Sequence, residues 1–349
     1  MLTAKPTLQR IHGGPDSLGV PLHDFSTNSN ACGPCPLALA AVQQADPTCY
    51  PDAGYSALRA QLAARHGVPL ARVLLAGSAS EFIFRITAWT AQQWHEPGAR
   101  TVSLPPHSYG DYAQAAQAWG LATVPQASQA QLVWCCDPSS PLGAAQPELA
   151  ALVEASPVCV LDRAYEPLRL EGGLTVSDDK LDRVWQLWSP NKALGLTGAR
   201  AAYAIAPVGS EQAVAALEQL APSWPIGAHG VAMLRAWCEP AVQHWLHESR
   251  HTLREWKARQ LALCESLGWT CLPSQANFFC ARPDHAGASL RQALAELRAQ
   301  GIKLRDAISF GLPDHVRLGV LSPLAQDALA QSWQGLRAAM GKQHEGAPG

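Results

Sequence analysis

The sequence predicts an α/β protein, with a large domain built on a doubly wound, mainly parallel sheet and a smaller α+β C-terminal domain behind it. Between residues 72 and 207, short apolar runs of strand length alternate with helical patterns of ten or more residues. That is the pattern of strands buried on both faces by crossover helices. Past "APSWPIGAHG" (221–230) the texture changes to long helical patterns with few strands between them. The length, 349 residues with 48% hydrophobic, exceeds one simple domain. These observations divide the chain into an N-terminal arm (1–35), a large domain (36–210) and a small domain (211–349).

The arm is rich in Gly, Pro, Asn and Ser without a sustained period, and reads as irregular. Helix patterns follow in "PLALAAVQQA" (36–45) and "YSALRAQLAARHG" (55–67), the second stopped by Gly67. "RVLLAG" (72–77) reads as a buried strand, and "SASEFIFRITAWTAQQW" (78–94) as a helix entered through hydroxyl residues. The alternation continues with "TVSLPP" (101–106), helix "YGDYAQAAQAWG" (109–120), "LATVP" (121–125), strand "QLVWCCD" (131–137) and helix "QPELAALVEAS" (146–156). Strands "VCVLDRAY" (158–165), "VWQLWS" (184–189) and "ARAAYAIAP" (199–207) complete it. The second domain opens with a helix over 231–268 that is interrupted near Pro240. Strand "ANFFCARP" (276–283), helix 288–301, strand "HVRLGVL" (315–321) and a closing helix over 324–340 follow, with a tail "GKQHEGAPG" that reads as disordered.

With 26 basic and 28 acidic residues the net charge is −2, so no overall field draws the protein to nucleic acid or to an anionic membrane. The expected partner is a small molecule or a second copy of the chain. No secretory core opens the sequence and no apolar run reaches the ~18 residues of a membrane span, so the expected location is the cytoplasm. Of the ten cysteines, Cys32 and Cys35 form one CxxC with no second pair to match it. Reduced, packing thiols are the expectation for such a chain and no metal is expected, with zinc or a redox pair at Cys32 and Cys35 as the alternative.

Ligands of open α/β sheets bind at the C-terminal ends of the strands. Ser78, Ala79 and Ser80 follow "RVLLAG", where backbone N–H groups at a helix start suit a phosphate. His107, Ser108 and Tyr109 follow "TVSLPP", and Asp137 and Ser140 follow "QLVWCC". Asp162 ends "VCVLD" with Tyr165 three residues on, and Ser189 and Lys192 follow "VWQLW". Each alone also fits a plainer role as cap, packing ring or surface charge. Together, phosphate donors, an aromatic face, a carboxylate and a lysine able to act as a Schiff-base nucleophile describe a pyridoxal phosphate site.

In these motifs the sequence resembles the class I/II aminotransferases of pyridoxal phosphate fold type I, over nearly the whole chain. The resemblance is to the branch containing histidinol-phosphate aminotransferase and the threonine-phosphate decarboxylase of cobalamin synthesis. "HGG" (12–14), "DFSTNSN" (24–30), "YPDAGYSALRAQLAARHGVP" (50–69) and "LRDAISFGLPDHVRLGV" (304–320) are similar to the decarboxylase in particular. The resemblance implies an aspartate aminotransferase-like fold and a homodimer with shared sites. It implies that Lys192 bonds the cofactor covalently, that Ala79, Ser80, Ser189 and Arg200 hold its phosphate, and that Tyr109 stacks on its ring. Asp162 would face the ring nitrogen, Tyr165 the ring hydroxyl, and Tyr50 the neighbouring subunit's cofactor. Arg317 would clamp the substrate carboxylate, Arg305 and His12 a second anion, and Asn277 would sit in the substrate pocket. The family's "NPNNPTG" is here "DPSSPLG", so Ser140 stands where an asparagine usually meets the ring hydroxyl; "DEAY" is "DRAY", and Ala202 replaces a glycine.

The expected activity is aminotransfer on an amino acid or an amino-acid-derived substrate, with or without a phosphate. Threonine-phosphate decarboxylation is the alternative, because the bond that breaks depends on how the carboxylate is held. A non-catalytic cofactor- or metabolite-binding protein is the reading from a different class.

Overall fold

The computed structural model describes residues 12–94, 98–284 and 289–345. In chain order the elements are β1 (His23–Asp24), α1 (Pro36–Gln43), α2 (Ser56–His66), β2 (Val73–Ala76), α3 (Ala79–Gln93), β3 (Thr101–Ser103), α4 (Gly110–Ala118) and β4 (Ala122–Thr123). Next come β5 (Leu132–Cys136), α5 (Leu149–Leu152), β6 (Val158–Asp162), α6 (Asp178–Leu181), β7 (Trp185–Trp188), β8 (Ala202–Ile205), α7 (Glu211–Gln219), α8 (Ala228–Cys238) and α9 (Pro240–Ser266). The last are β9 (Thr270–Cys271), β10 (Phe278–Arg282), α10 (Leu290–Ala299), β11 (Ile302–Lys303), β12 (Arg305–Asp306), β13 (Val316–Gly319) and α11 (Pro323–Glu345).

Seven strands form the central sheet in the order β2-β8-β7-β6-β5-β3-β4. All run parallel except β8, which is antiparallel to both of its neighbours. Hydrophobic pattern carries no strand direction, so the sequence could not single β8 out. The sheet is apolar because helices cover both faces: every residue of β2, β5, β6, β7 and β8 is buried. On one face, Phe82 and Ile86 of α3 and Tyr112 of α4 pack on Trp134, Val160 and Leu187. A second, antiparallel sheet, β12-β13-β10-β9, lies in residues 270–319.

Local signals account for the elements that place the site. Ser78, extended at the start of α3, accepts the Glu81 N–H at 3.0 Å, and Glu81 pairs with Arg85 one turn on. Pro240 sits in the first turn of α9, where it lacks only a bond that would be orphaned anyway, and it separates α9 from α8.

Several expectations are corrected. The arm is partly ordered into the fold: β1 pairs in parallel with β11, and Phe25 and Cys35 are wholly buried in the same core as Phe279, Val316 and Trp333. Residues 1–11 of that arm lie outside the described residues. Helix α5 is shorter than its pattern, and α7, which buries Val214 and Leu217 three positions apart on one face, is a helix that the reading of the sequence leaves out. Residues 341–345 of the expected tail continue α11, and 346–349 lie outside the described residues.

Candidate active site

A cleft of about 580 Å³ opens where β2, β3, β5, β6 and β7 end. Because β8 runs the other way, its start lies at that same edge, which brings Arg200 and Ala201 to the cleft beside residues that follow the other strands. The arm and the turn after β12 close the opposite wall, supplying His12, Ser26, Thr27, Asn28, Ser309 and Phe310. Of the residues singled out in sequence, Ala79, Ser80, Tyr109, Ser140, Asp162, Tyr165, Ser189, Lys192, Arg200, Arg305, Arg317 and His12 all line it.

Lys192 rides on a loop that the arm fastens down. The N–H of Asn30 donates to the Lys192 carbonyl at 2.9 Å, Asn30 Nδ2 to the Ala193 carbonyl at 3.1 Å, and the N–H of Cys35 to the Leu194 carbonyl at 2.8 Å. At Gly195 (φ +69°) a Cβ would lie 2.6 Å from the Gly33 carbonyl oxygen, so only glycine lets arm and loop come this close. Lys192 Nζ stands 5.1 Å from the centre of the Tyr165 ring.

Asp162 is buried at the end of β6. Tyr112 donates to its Oδ2 at 2.6 Å and the Ala164 N–H to its Oδ1 at 2.9 Å. Burial pushes the carboxyl above the usual range, opposed by those two hydrogen bonds and by the charge of Lys192. Tyr112 was missed in sequence, although "YGDY" sets it three residues after Tyr109 on one helix. Its ring stacks on Trp134 at 4.4 Å and 12°, which aims the hydroxyl at the carboxylate. Tyr109 at the mouth of α4 has its Oη 3.2 Å from Ser80 Oγ, and burial pushes its phenol up.

At one end of the cleft, Ser78, Ala79 and Ser80 begin α3, whose first backbone N–H groups have no partner within the helix. Ser189 donates to Asn191 Oδ1 at 3.0 Å beside them, with Arg200 exposed at the rim. At the other end, Arg305 and Arg317 face each other in register across β12 and β13, both buried. Arg305 donates to Ser309 Oγ and lies 4.8 Å over the Phe310 ring; burial, then the charge of Arg317, pushes it down to about 10. Arg317 donates to the Ser26 carbonyl at 3.0 Å, and its Nε has no partner among the described residues. His12 is exposed at the cleft rim, its ring 6.4 Å from that of Tyr109.

Two residues stand apart. Asn277 does not line the cleft; wholly buried, it donates to the carbonyls of Asn28 (3.4 Å) and Ser29 (3.2 Å), so it anchors the arm instead. Tyr50 is 78% exposed, stacked on Trp224 at 4.4 Å, and lines a separate apolar groove between α1 and α8. At the CxxC, Cys35 is buried among apolar side chains and Cys32 Sγ faces the Ser249 carbonyl, 3.6 Å away. Burial pushes the Cys32 thiol up. Among the described residues the one group spaced as metal ligands is His247, Glu248 and His251 on the exposed face of α9, outside the cleft.

A buried carboxylate, an amine, and a helix start with an arginine suit a flat ring that carries a protonatable nitrogen, an electrophilic carbon and a phosphate. Residues 21–332 match the family described as aminotransferase class I and II, and the chain belongs to it. It is an enzyme of the pyridoxal phosphate-dependent aminotransferase type, with the aspartate aminotransferase-like fold. Histidinol-phosphate aminotransferase of Symbiobacterium thermophilum is 29% identical over 354 residues, covering 92% of each chain, and that of Jannaschia sp. is 28% identical over 326 residues (86% of this chain, 87% of that one). Among solved structures, histidinol-phosphate aminotransferase from Sinorhizobium meliloti in complex with pyridoxal-5'-phosphate is similar at a TM-score of 0.79, with 21% identity over 97% of this chain and 99% of that one. L-threonine-O-3-phosphate decarboxylase from Porphyromonas gingivalis gives 0.73, with 20% identity over 89% and 98%.

Proposed function

We propose that the chain is an aminotransferase for a phosphorylated amino substrate of the histidinol phosphate type, working as a homodimer. The observation that carries this reading is the pair Arg305 and Arg317: two buried guanidiniums abreast at the cleft wall form a seat for a dianion, and a phosphate monoester fills it with both charges. The names of the relatives point the same way. Tyr50, exposed on an apolar groove, supports a partner subunit at that face.

Pyridoxal phosphate, when bound, supplies an electron sink for the carbanion formed next to the substrate nitrogen. The first N–H groups of α3, the Ser80 and Ser189 hydroxyls and Arg200 would bind its phosphate, and Tyr109 would cover one ring face. Asp162, ionised in a buried setting, would hold a proton on the ring nitrogen. Tyr165 would donate toward the ring oxygen. Lys192 Nζ would bond the cofactor and, once displaced by the substrate amine, would be the base for the proton on the substrate carbon that bears the nitrogen and the acid that delivers it on the far side of that nitrogen. Arg305, Arg317 and His12 would orient the substrate through its anion.

The test is incubation of the cofactor-loaded protein with histidinol phosphate and 2-oxoglutarate. Glutamate formation that depends on both substrates supports the reading. Threonine phosphate consumed to an amino alcohol phosphate, without any keto acceptor, would replace it with the decarboxylase reading that "HGG" and "DFSTNSN" resemble.

A further inference from the structure

We propose that Asn28, on the arm, is a positioning residue that sets the direction of the Tyr165 hydroxyl. The inference rests on the pyridoxal phosphate reading of the cleft. Asn28 lines the cleft at 2% exposure, and its Nδ2 donates to Tyr165 Oη at 3.2 Å. Its Oδ1 is buried and has no partner among the described residues. The structural work of this stretch is done by other atoms: Asn277 holds the Asn28 and Ser29 carbonyls, and the Asn30 N–H holds the Lys192 carbonyl. A buried amide with an unpaired oxygen costs free energy, which a place in the site accounts for and packing alone does not.

The physical consequence lies in the proton of the phenol. A hydroxyl that accepts from an amide N–H has its own O–H left to donate elsewhere. Phe278 stands edge-on to one side of the Tyr165 ring at 4.6 Å, and Lys192 Nζ lies over its face, so the ring itself is fixed. The open direction is the cleft, where an anionic ring oxygen would accept the phenol proton. Ser140, one hydroxyl on a short side chain, lines the same cleft and brings no amide to it. Asn28 thus supplies from the arm an amide that the "DPSSPLG" loop lacks.

The experiment is a spectroscopic pH titration of the cofactor-bound protein, following the visible band of the lysine-bound chromophore in wild type, Asn28→Ala, Asn28→Asp, Tyr165→Phe and Asn28→Ala/Tyr165→Phe. Loss of this neutral hydrogen bond in Asn28→Ala should raise the midpoint by up to about 0.7 pH unit. The rise should be larger in the isosteric Asn28→Asp, whose carboxylate would draw the phenol proton to itself. In the Tyr165→Phe background the Asn28 substitution should add nothing. A midpoint unmoved by both Asn28 variants, or a shift that persists undiminished without the Tyr165 hydroxyl, would overturn the assignment. A wild-type protein with no visible band at all would instead refute the cofactor reading, and this inference with it.

Discussion

Tyr112→Phe isolates the hydrogen bond that opposes the burial-driven rise of the Asp162 carboxyl. The two side chains are buried and 2.6 Å apart, while the Tyr112 ring is held independently by its stack on Trp134. Phenylalanine preserves that stack, so the change removes one hydroxyl and little packing. A hydrogen bond to a charged acceptor contributes about 1.5–3 kcal/mol, which is about 1–2 pH units of carboxyl pKa. Burial already raises Asp162, and the bond from Tyr112 opposes that rise. Losing it raises the carboxyl further, so at any given pH a larger share is protonated and unable to play the role proposed for it at the ring nitrogen. The expected outcome is a fall in kcat/KM of roughly 10–100-fold, with the acid limb of its pH profile moved up by about 1–2 units. Steady-state kinetics across pH, beside thermal melts of the cofactor-free protein, measure it. An acid limb that does not move refutes the assignment of Tyr112 and Asp162 as a working pair.

Arg305→Gln should raise KM for the phosphorylated substrate by about 10–100-fold, from the loss of charge-assisted hydrogen bonds, with a smaller change in kcat. Competition by inorganic phosphate should weaken in parallel, and an unchanged KM would remove the dianion seat. Burial, reinforced by Arg65 and Arg163, pushes the His66 imidazole down to about 4, so it folds neutral against Tyr203. Its folded pKa lies below the unfolded value, so this contribution to stability is full above about pH 6.5 and is lost as pH falls through 4, by roughly 3 kcal/mol. Urea denaturation of His66→Gln should show a flatter acid slope in that window; an identical slope contradicts the linkage.

The sheet and most of the cleft were legible because both follow from local chemistry. Strands β5, β6 and β7 are short, mostly apolar runs, and Asp162 closes β6 while Ser189 and Lys192 follow β7 within four residues, where strand ends must deliver side chains. Residues whose roles depend on partners distant in sequence were not legible. Nothing local in "DFSTNSN" says that Asn30 will fasten the Lys192 loop 162 positions away or that Asn28 will meet Tyr165; those contacts exist because β1 pairs with β11 and pulls the arm across the cleft. Asn277 was misplaced for the same reason, as its amide is spent on arm carbonyls that the sequence does not bring near it. The family pattern implies a phosphate contact for Arg200; that Arg200 reaches the cleft at all follows from an antiparallel β8 that starts where its neighbours end, which needs the topology.

The central claim is that Lys192 carries the cofactor. Borohydride reduction of the cofactor-bound protein makes any lysine–cofactor bond permanent, and peptide mass spectrometry then locates it. The adduct is expected on the peptide containing Lys192, together with loss of the visible band in Lys192→Ala. An adduct on another lysine, or a band that survives in Lys192→Ala, would contradict it.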